Sequence, residues 1–310
     1  MPQYYLIAVA AGLVSGLLQA AAIMPGPGAL LLAYLAPLPL FMAGLGLGLP
    51  AAAIAVLVES VISGLAGGPV YAAIQILVYG LPIIILSRQA LLSRTDGQGQ
   101  AHWYPPGRLL LWLSGLAAAG MLVAVVALGL FSDGLMPRLH SVLEPFVAQF
   151  TIPEQREMLL SLVDFLPALF ATSWILGLVF NGVLAQGLLT RFGQNLRPSP
   201  KMADIRLPVS WIVLSLVALS LATMDGLIGV CGKTLAAIAI VPYFLLGLGV
   251  IHGFVQAWKA RWIVLILFYG ILLMWPLPVL VAGLGLLNAV LRLRGGNGID
   301  SSGDNAEREE

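Results

Sequence analysis

Long apolar runs separated by short polar connections dominate the chain. Crossing a bilayer core of about 30 Å takes roughly 20 apolar residues in a helix. By that measure the pattern predicts spans at 5–23, 28–48, 50–66, 69–87, 108–131, 165–190, 207–223 and 234–257. A last apolar stretch, Trp262 to Leu291, is too long for one untilted span and is interrupted by Pro276 and Pro278. It reads as one broken helix or as a tight hairpin of two short ones. Between the fifth and sixth spans, Leu139, Val142, Leu143, Phe146, Val147 and Phe150 recur at helical spacing, with His140, Glu144 and Gln149 between them. That spacing predicts an amphipathic helix lying along the membrane or capping the bundle, bent at Pro145. Thr151 to Glu154 then reads as a capping box that opens a further helix. The expected fold is an all-α polytopic transmembrane bundle: eight spans, a broken C-terminal helix or hairpin, and one interfacial helix. Residues 1–294 form a single membrane domain in this reading, and the glycine-rich polar tail 295–310 is disordered.

Composition reinforces the pattern. Apolar residues make up 60% of the 310, charged residues only 9%, and mean hydropathy is +0.98. Soluble domains carry about 25% charged residues, too many for this chain to be one. The net charge of +1 gives no global field for nucleic acid. Cys231 is the only cysteine, so no intrachain disulfide can form. The first apolar run has no preceding Lys or Arg and is span-length, so it reads as a retained helix rather than a signal peptide.

Basic residues set the expected orientation. Arg88, Arg94 and Arg108 mark one connection; Arg191, Arg197, Lys201 and Arg206 mark another. Lys259 and Arg261 follow the eighth span, and Arg292 and Arg294 follow the last apolar run. Every other connection is basic, which places the N-terminus in the cytoplasm. The absence of an Asn-x-Ser/Thr acceptor fits a bacterial inner membrane.

Candidate chemistry lies at membrane depth. Glu59 sits near the middle of the third span, where an acidic side chain costs about 2.5–3.5 kcal/mol. It should face a cavity or a partner, or hydrogen-bond as a neutral acid to a neighbouring helix. His252, Gln256 and Lys259 form one stripe of the eighth span, either a pocket wall or a polar exit from the membrane. Gln75 and Tyr79 share a face of the fourth span, and Asn181 and Gln186 interrupt the sixth. Such groups line a cavity or join helices. Asp225 and Lys233 fall in a predicted outer loop, where they meet a ligand or pair with each other. Pro37 and Pro39 in the second span and Pro82 in the fourth remove backbone donors. Ala8, Gly12, Gly16 and Ala20 repeat every four residues and make a smooth face for close helix approach. Gly44, Gly46 and Gly48 lack any nucleotide-loop context and read as packing or a turn. No zinc spacing, cofactor motif or hydrolase motif occurs, so no metal, no cofactor and no enzymatic activity are expected.

The block PLPLFMAGLGLGLPAAAIAVLVESVISGLAGGPVYAAIQILVYGLPIIIL, with VPYFLLGLGVIHGFVQAWKARW and YGILLMWPLPVLVAGLGLLNAVLRLR, resembles the YybS-like domain-of-unknown-function family of bacterial membrane proteins. The likeness covers roughly residues 5–294. That family is grouped by distant similarity with the S components of energy-coupling-factor transporters, small bundles that bind a vitamin or metal. The resemblance implies a small-molecule substrate, a coupling membrane subunit and ATPases as partners. It also implies that Ala8, Gly12, Gly16 and Ala20 are a docking face for that subunit. The alternative is a scaffold or assembly factor acting through protein contacts.

Overall fold

The computed structural model describes residues 2–21, 28–131, 134–149, 152–200, 202, 205–272, 274 and 276–303. Their contacts separate into two units, one of residues 1–116 and 173–200, the other of residues 117–172 and 201–310. Among the described residues, seven helical runs are long and apolar enough to cross a membrane, or eight with one bent pair counted as a span. The all-α membrane bundle expected from the apolar pattern is what forms.

In the first unit the chain runs through α1 (Pro2–Ala20), α2 (Ala29–Leu35), α3 (Pro37–Leu47) and α4 (Leu49–Gly67). It continues through α5 (Pro69–Gln75), a π-helical turn (Ile76–Gly80) and α6 (Leu81–Ala90). A small antiparallel hairpin of β1 (Ser93–Thr95) and β2 (Ala101–Trp103) follows, with Arg94 opposite His102. The start of α7 (Pro106–Phe131) and most of α10 (Leu166–Arg191) complete the unit.

The closest approach in this unit is between α1 and α4. Ala8, Gly12, Ser15, Gly16 and Gln19 are buried on one face of α1. A Cβ at Gly12 would lie 2.7 Å from Val58 Cβ, and one at Gly16 would lie 2.6 Å from Ile62 Cβ. Only hydrogen fits there. The pairing advances in the same direction on both helices, so α1 and α4 run parallel, as first and third spans must. This corrects the docking reading of the small-residue stripe at Gly12 and Gly16, which the chain's own α4 already covers, and Ala8 is buried too. Ala20, at the end of the stripe, is half-buried.

The second unit contains the rest of α7, then α8 (Leu135–Val147), α9 (Pro153–Ser161) and a 3-10 turn (Val163–Phe165). The start of α10, then α11 (Val209–Ala222), α12 (Gly226–Val255), α13 (Arg261–Leu272) and α14 (Leu277–Gly303) complete it. α8 is the expected amphipathic helix and carries Pro145 in its last turn. Thr151 lies outside the described residues; α9 starts at Pro153 with Ile152 as its N-cap and no side-chain cap bond. The seventh span is a helix of only 14 residues, whereas α12 has 30. The expected outer loop around residues 224–233 is therefore corrected, since α12 begins at Gly226 and Lys233 is two turns inside it. α12 and α14 are antiparallel, with Gly247 against the Val281 carbonyl and Gly285 against that of Tyr243. α13 and α14 meet at a bend of 115°. α14 continues to Gly303, into the stretch read as a polar tail; residues 304–310 lie outside the described residues.

Gly16→Leu should cost about 1–3 kcal/mol by overpacking the α1–α4 contact. Gly115→Ala, where an added Cβ meets nothing within 4 Å, should be silent. Thermal unfolding in detergent checks both. Equal melting temperatures for the two variants would refute the α1–α4 packing.

Candidate functional site

The second span breaks at Ala36, between α2 and α3. Pro37 and Pro39 have no N–H, so carbonyls one turn back lose their helical donors. In hydrocarbon no water replaces them. One backbone donor answers the Ala33 carbonyl that Pro37 leaves, and two side chains bond other carbonyls beside the break. The Ala36 N–H turns back to the Ala33 carbonyl at 3.2 Å. The Ser15 hydroxyl, from α1, donates to the Ala36 carbonyl at 2.6 Å. The Asn181 amide, from α10, donates to the Tyr34 carbonyl at 2.7 Å and to Gly177 in its own helix at 2.8 Å. Tyr34 and Ser173 share a hydroxyl–hydroxyl bond beside them.

The fourth span solves the same problem differently. Pro82 cannot donate to the Val78 carbonyl four residues back, and the helix widens into the π turn just before it. The Trp174 indole N–H, from α10, donates to that Val78 carbonyl at 3.0 Å. Gln75 closes α5 and is buried; Tyr79 lies within the π turn, half-buried, with the phenols of Tyr34 and Tyr71 nearby.

Glu59 belongs to the buried face of α4, with Ala55, Val56, Ser60 and Ser63, and is 2% exposed. It faces protein rather than lipid. The Ser63 hydroxyl donates to its Oε1 at 2.7 Å, while Oε2 is enclosed and has no partner among the described residues. Gln19 Oε1, on the α1 face that packs on α4, is likewise enclosed without a donor. The described elements packed on α4 carry Tyr4, Tyr5, Tyr71, Tyr79 and Arg88 as titratable groups, and Arg88 is exposed at the end of α6. No cation answers the Glu59 carboxyl among them.

A groove of about 370 Å³ opens in this unit, lined by Leu30, Leu31, Tyr34, Leu35 and Phe180. It is apolar, and none of the seven candidate residues lines it. Those seven divide between the units. Glu59, Gln75, Tyr79, Asn181 and Gln186 belong to the first; Asp225 and His252 belong to the second. Asp225 is the exposed N-cap of α12 and makes no side-chain cap bond. His252 Nδ1 lies 2.9 Å from the Leu248 carbonyl, and Nε2 lies 3.4 Å from the Tyr269 hydroxyl. Lys233 pairs with Asp164 at 2.7 Å and sits over the Phe165 ring, so a pairing with Asp225 is corrected.

Sequence reasoning missed two residues, Trp174 and Arg197. Arg197 appeared only as a topology marker, yet it is 5% exposed. Its Nη1 donates to the Ala90 carbonyl at 2.8 Å and its Nη2 to that of Tyr104 at 3.5 Å, with the guanidinium over the Trp103 ring. Burial lowers its pKa from the ordinary arginine value. Gln186 and Asn195 both donate to the Arg197 carbonyl. Gln186 thus fastens the segment after α10 and leaves its own Oε1 enclosed without a partner. In the hairpin, the His102 ring and the N–H groups of Gln100 and Gln98 hold the Asp96 carboxyl below the usual carboxylate range.

The family model described as "Predicted membrane protein (DUF2232)" matches residues 13–288, in keeping with the YybS-like resemblance. No curated protein and no solved structure matches the chain.

Trp174→Phe should lower stability by about 1–3 kcal/mol, because it strands a buried carbonyl. Trp112→Phe, whose indole bonds the Tyr104 hydroxyl near the surface, should cost less than half as much. Thermal unfolding of the pair checks this, and equal losses would count against it. Asp96 ionises more readily in the folded hairpin than in the unfolded chain. Its contribution is therefore complete above its ordinary value of 3.8 and fades as the pH falls below it. Protection of the Gln98 and Gln100 amides, relative to the intrinsic exchange rate at each pH, should fall in that acid range, and at neutral pH in Asp96→Asn.

Proposed function

Because the chain belongs to the DUF2232 family of predicted membrane proteins, we propose a function that its membrane-embedded polar groups could perform. It is the substrate-binding or permease-like subunit of a small-molecule uptake system in a bacterial inner membrane, with a cytoplasmic N-terminus. Partner subunits supply the energy, since the chain carries no nucleotide-binding loop. It binds and passes a solute and does no covalent chemistry. With Gly12 and Gly16 of α1 taken up by α4, a coupling subunit would dock elsewhere.

The observation that carries this reading is the Glu59 carboxyl: buried at mid-span, held by Ser63 through one oxygen, unmatched at the other. A carboxyl placed there at a cost of about 2.5–3.5 kcal/mol needs a return that packing does not supply. Asn181, Ser15 and Trp174 each donate to a backbone carbonyl of another span, although Asn181 Oδ1 is itself enclosed without a partner among the described residues. Their engagement favours a second reading, a scaffold or assembly factor with no transport.

Purified protein screened against vitamins, metals and metabolites separates the two. On the transport reading at least one class raises the melting temperature, and Glu59→Gln weakens its binding about tenfold or more while the apo protein stays folded. No stabilising solute, together with a stoichiometric copurified protein that Glu59→Gln does not disturb, would establish the scaffold reading instead.

A further inference from the structure

One end of the first unit collects positive charge. Arg88 lies in the last turn of α6, Arg94 on β1, Arg108 in the first turn of α7 and Arg191 at the last residue of α10; all four are exposed. The buried Arg197 ties these pieces together, because its side chain reaches from the segment after α10 to the carbonyls of Ala90 and Tyr104. Leu196 adds a backbone bond to Leu45 at the end of α3. Among the described residues, the ion pairs are His102–Asp96 and Lys233–Asp164, so none of the four exposed arginines is neutralised. Asp96, the one acidic residue of the 88–108 connection, is already committed to His102.

Apolar side chains stand among these charges. Leu92, Trp112, Phe192 and Leu196 are exposed at the same end. Arginines beside exposed aromatic and aliphatic groups, where apolar spans end, match the depth at which lipid phosphates meet the acyl region. We propose that this arginine-bearing end of the first unit is a binding surface for anionic phospholipid headgroups. Charge complementarity selects the occupant: four unpaired guanidinium forks suit phosphate oxygens, and Arg197 holds the surface in register. The proposal does not depend on the role of Glu59.

The test is full-length protein in bilayer nanodiscs of phosphatidylcholine containing a minor share of phosphatidylglycerol, with the lipids retained after extraction counted by native mass spectrometry. Wild type should enrich phosphatidylglycerol, by about fivefold for each arginine engaged. R88Q/R94Q/R108Q/R191Q should retain both lipids in proportion to supply. Raising the salt on wild type alone should also erase the preference, which keeps the test decisive if the quadruple variant misfolds. Retention of the two lipids by wild type in proportion to supply overturns the proposal, as would be expected if the occupant were an acidic protein segment. Enrichment that survives high salt, or that survives in a folded quadruple variant, overturns it too.

Discussion

A carbonyl oxygen that loses its helical donor inside hydrocarbon has no water to turn to, and in the first unit this constraint explains where the polar side chains sit. Prolines 37, 39 and 82 each remove a donor at membrane depth. Around the resulting breaks stand Ser15, Asn181 and Trp174, each donating to a carbonyl of the interrupted span. Asn181 and Trp174 come from one helix, α10, so a single element donates to carbonyls of both interrupted spans, and Trp174 replaces the donor that Pro82 lacks. The second unit has a related contact beside Pro242, where the Trp211 indole reaches the Ala239 carbonyl at 3.2 Å. Of Ser15, Asn181 and Trp174, only Asn181 looks like a binding group in the sequence, and its amide nitrogen is taken up by backbone carbonyls.

Glu59 does not fit that scheme. It is buried as deeply as Asn181, yet among the described residues its one side-chain bond comes from its own helix and its other oxygen has no partner. Asn181 Oδ1 and Glu59 Oε2 are both enclosed without a partner among the described residues, so the difference is that the Asn181 amide nitrogen bonds another helix and the Glu59 carboxyl does not. The bare face of α1 brings Gly12 and Gly16 against α4, where a Cβ at Gly16 would lie 3.2 Å from the Glu59 backbone carbonyl.

The spans were legible because apolar length alone decides whether a helix can cross a bilayer. The breaks at Pro37, Pro39 and Pro82 were legible for an equally local reason. What answers each break was not. Nothing near Trp174 in the chain announces that its indole will meet Val78, 96 positions away. The α1 stripe shows the same limit, since spacing reveals a face made for close approach but not whose helix it meets. The predicted outer loop failed at Lys233 because a charged residue looked like a loop marker. In the structure, Asp164 and the Phe165 ring let that charge stay on α12. Arg197 was read as a basic marker of its connection, and its burial was not legible because its carbonyl partners lie in a distant connection. Of the seven proposed site residues, the five in the first unit and the two in the second were never separable by sequence pattern.

Solid-state NMR of the protein in lipid bilayers, with ¹⁵N-labelled tryptophan indole and ¹³C-labelled valine carbonyl, addresses the central claim directly. Closure of the fourth-span break by α10 predicts a through-space correlation between Trp174 Nε1 and the Val78 carbonyl, with an indole proton protected from exchange. A Trp174 indole that exchanges freely and shows no such correlation would contradict the account.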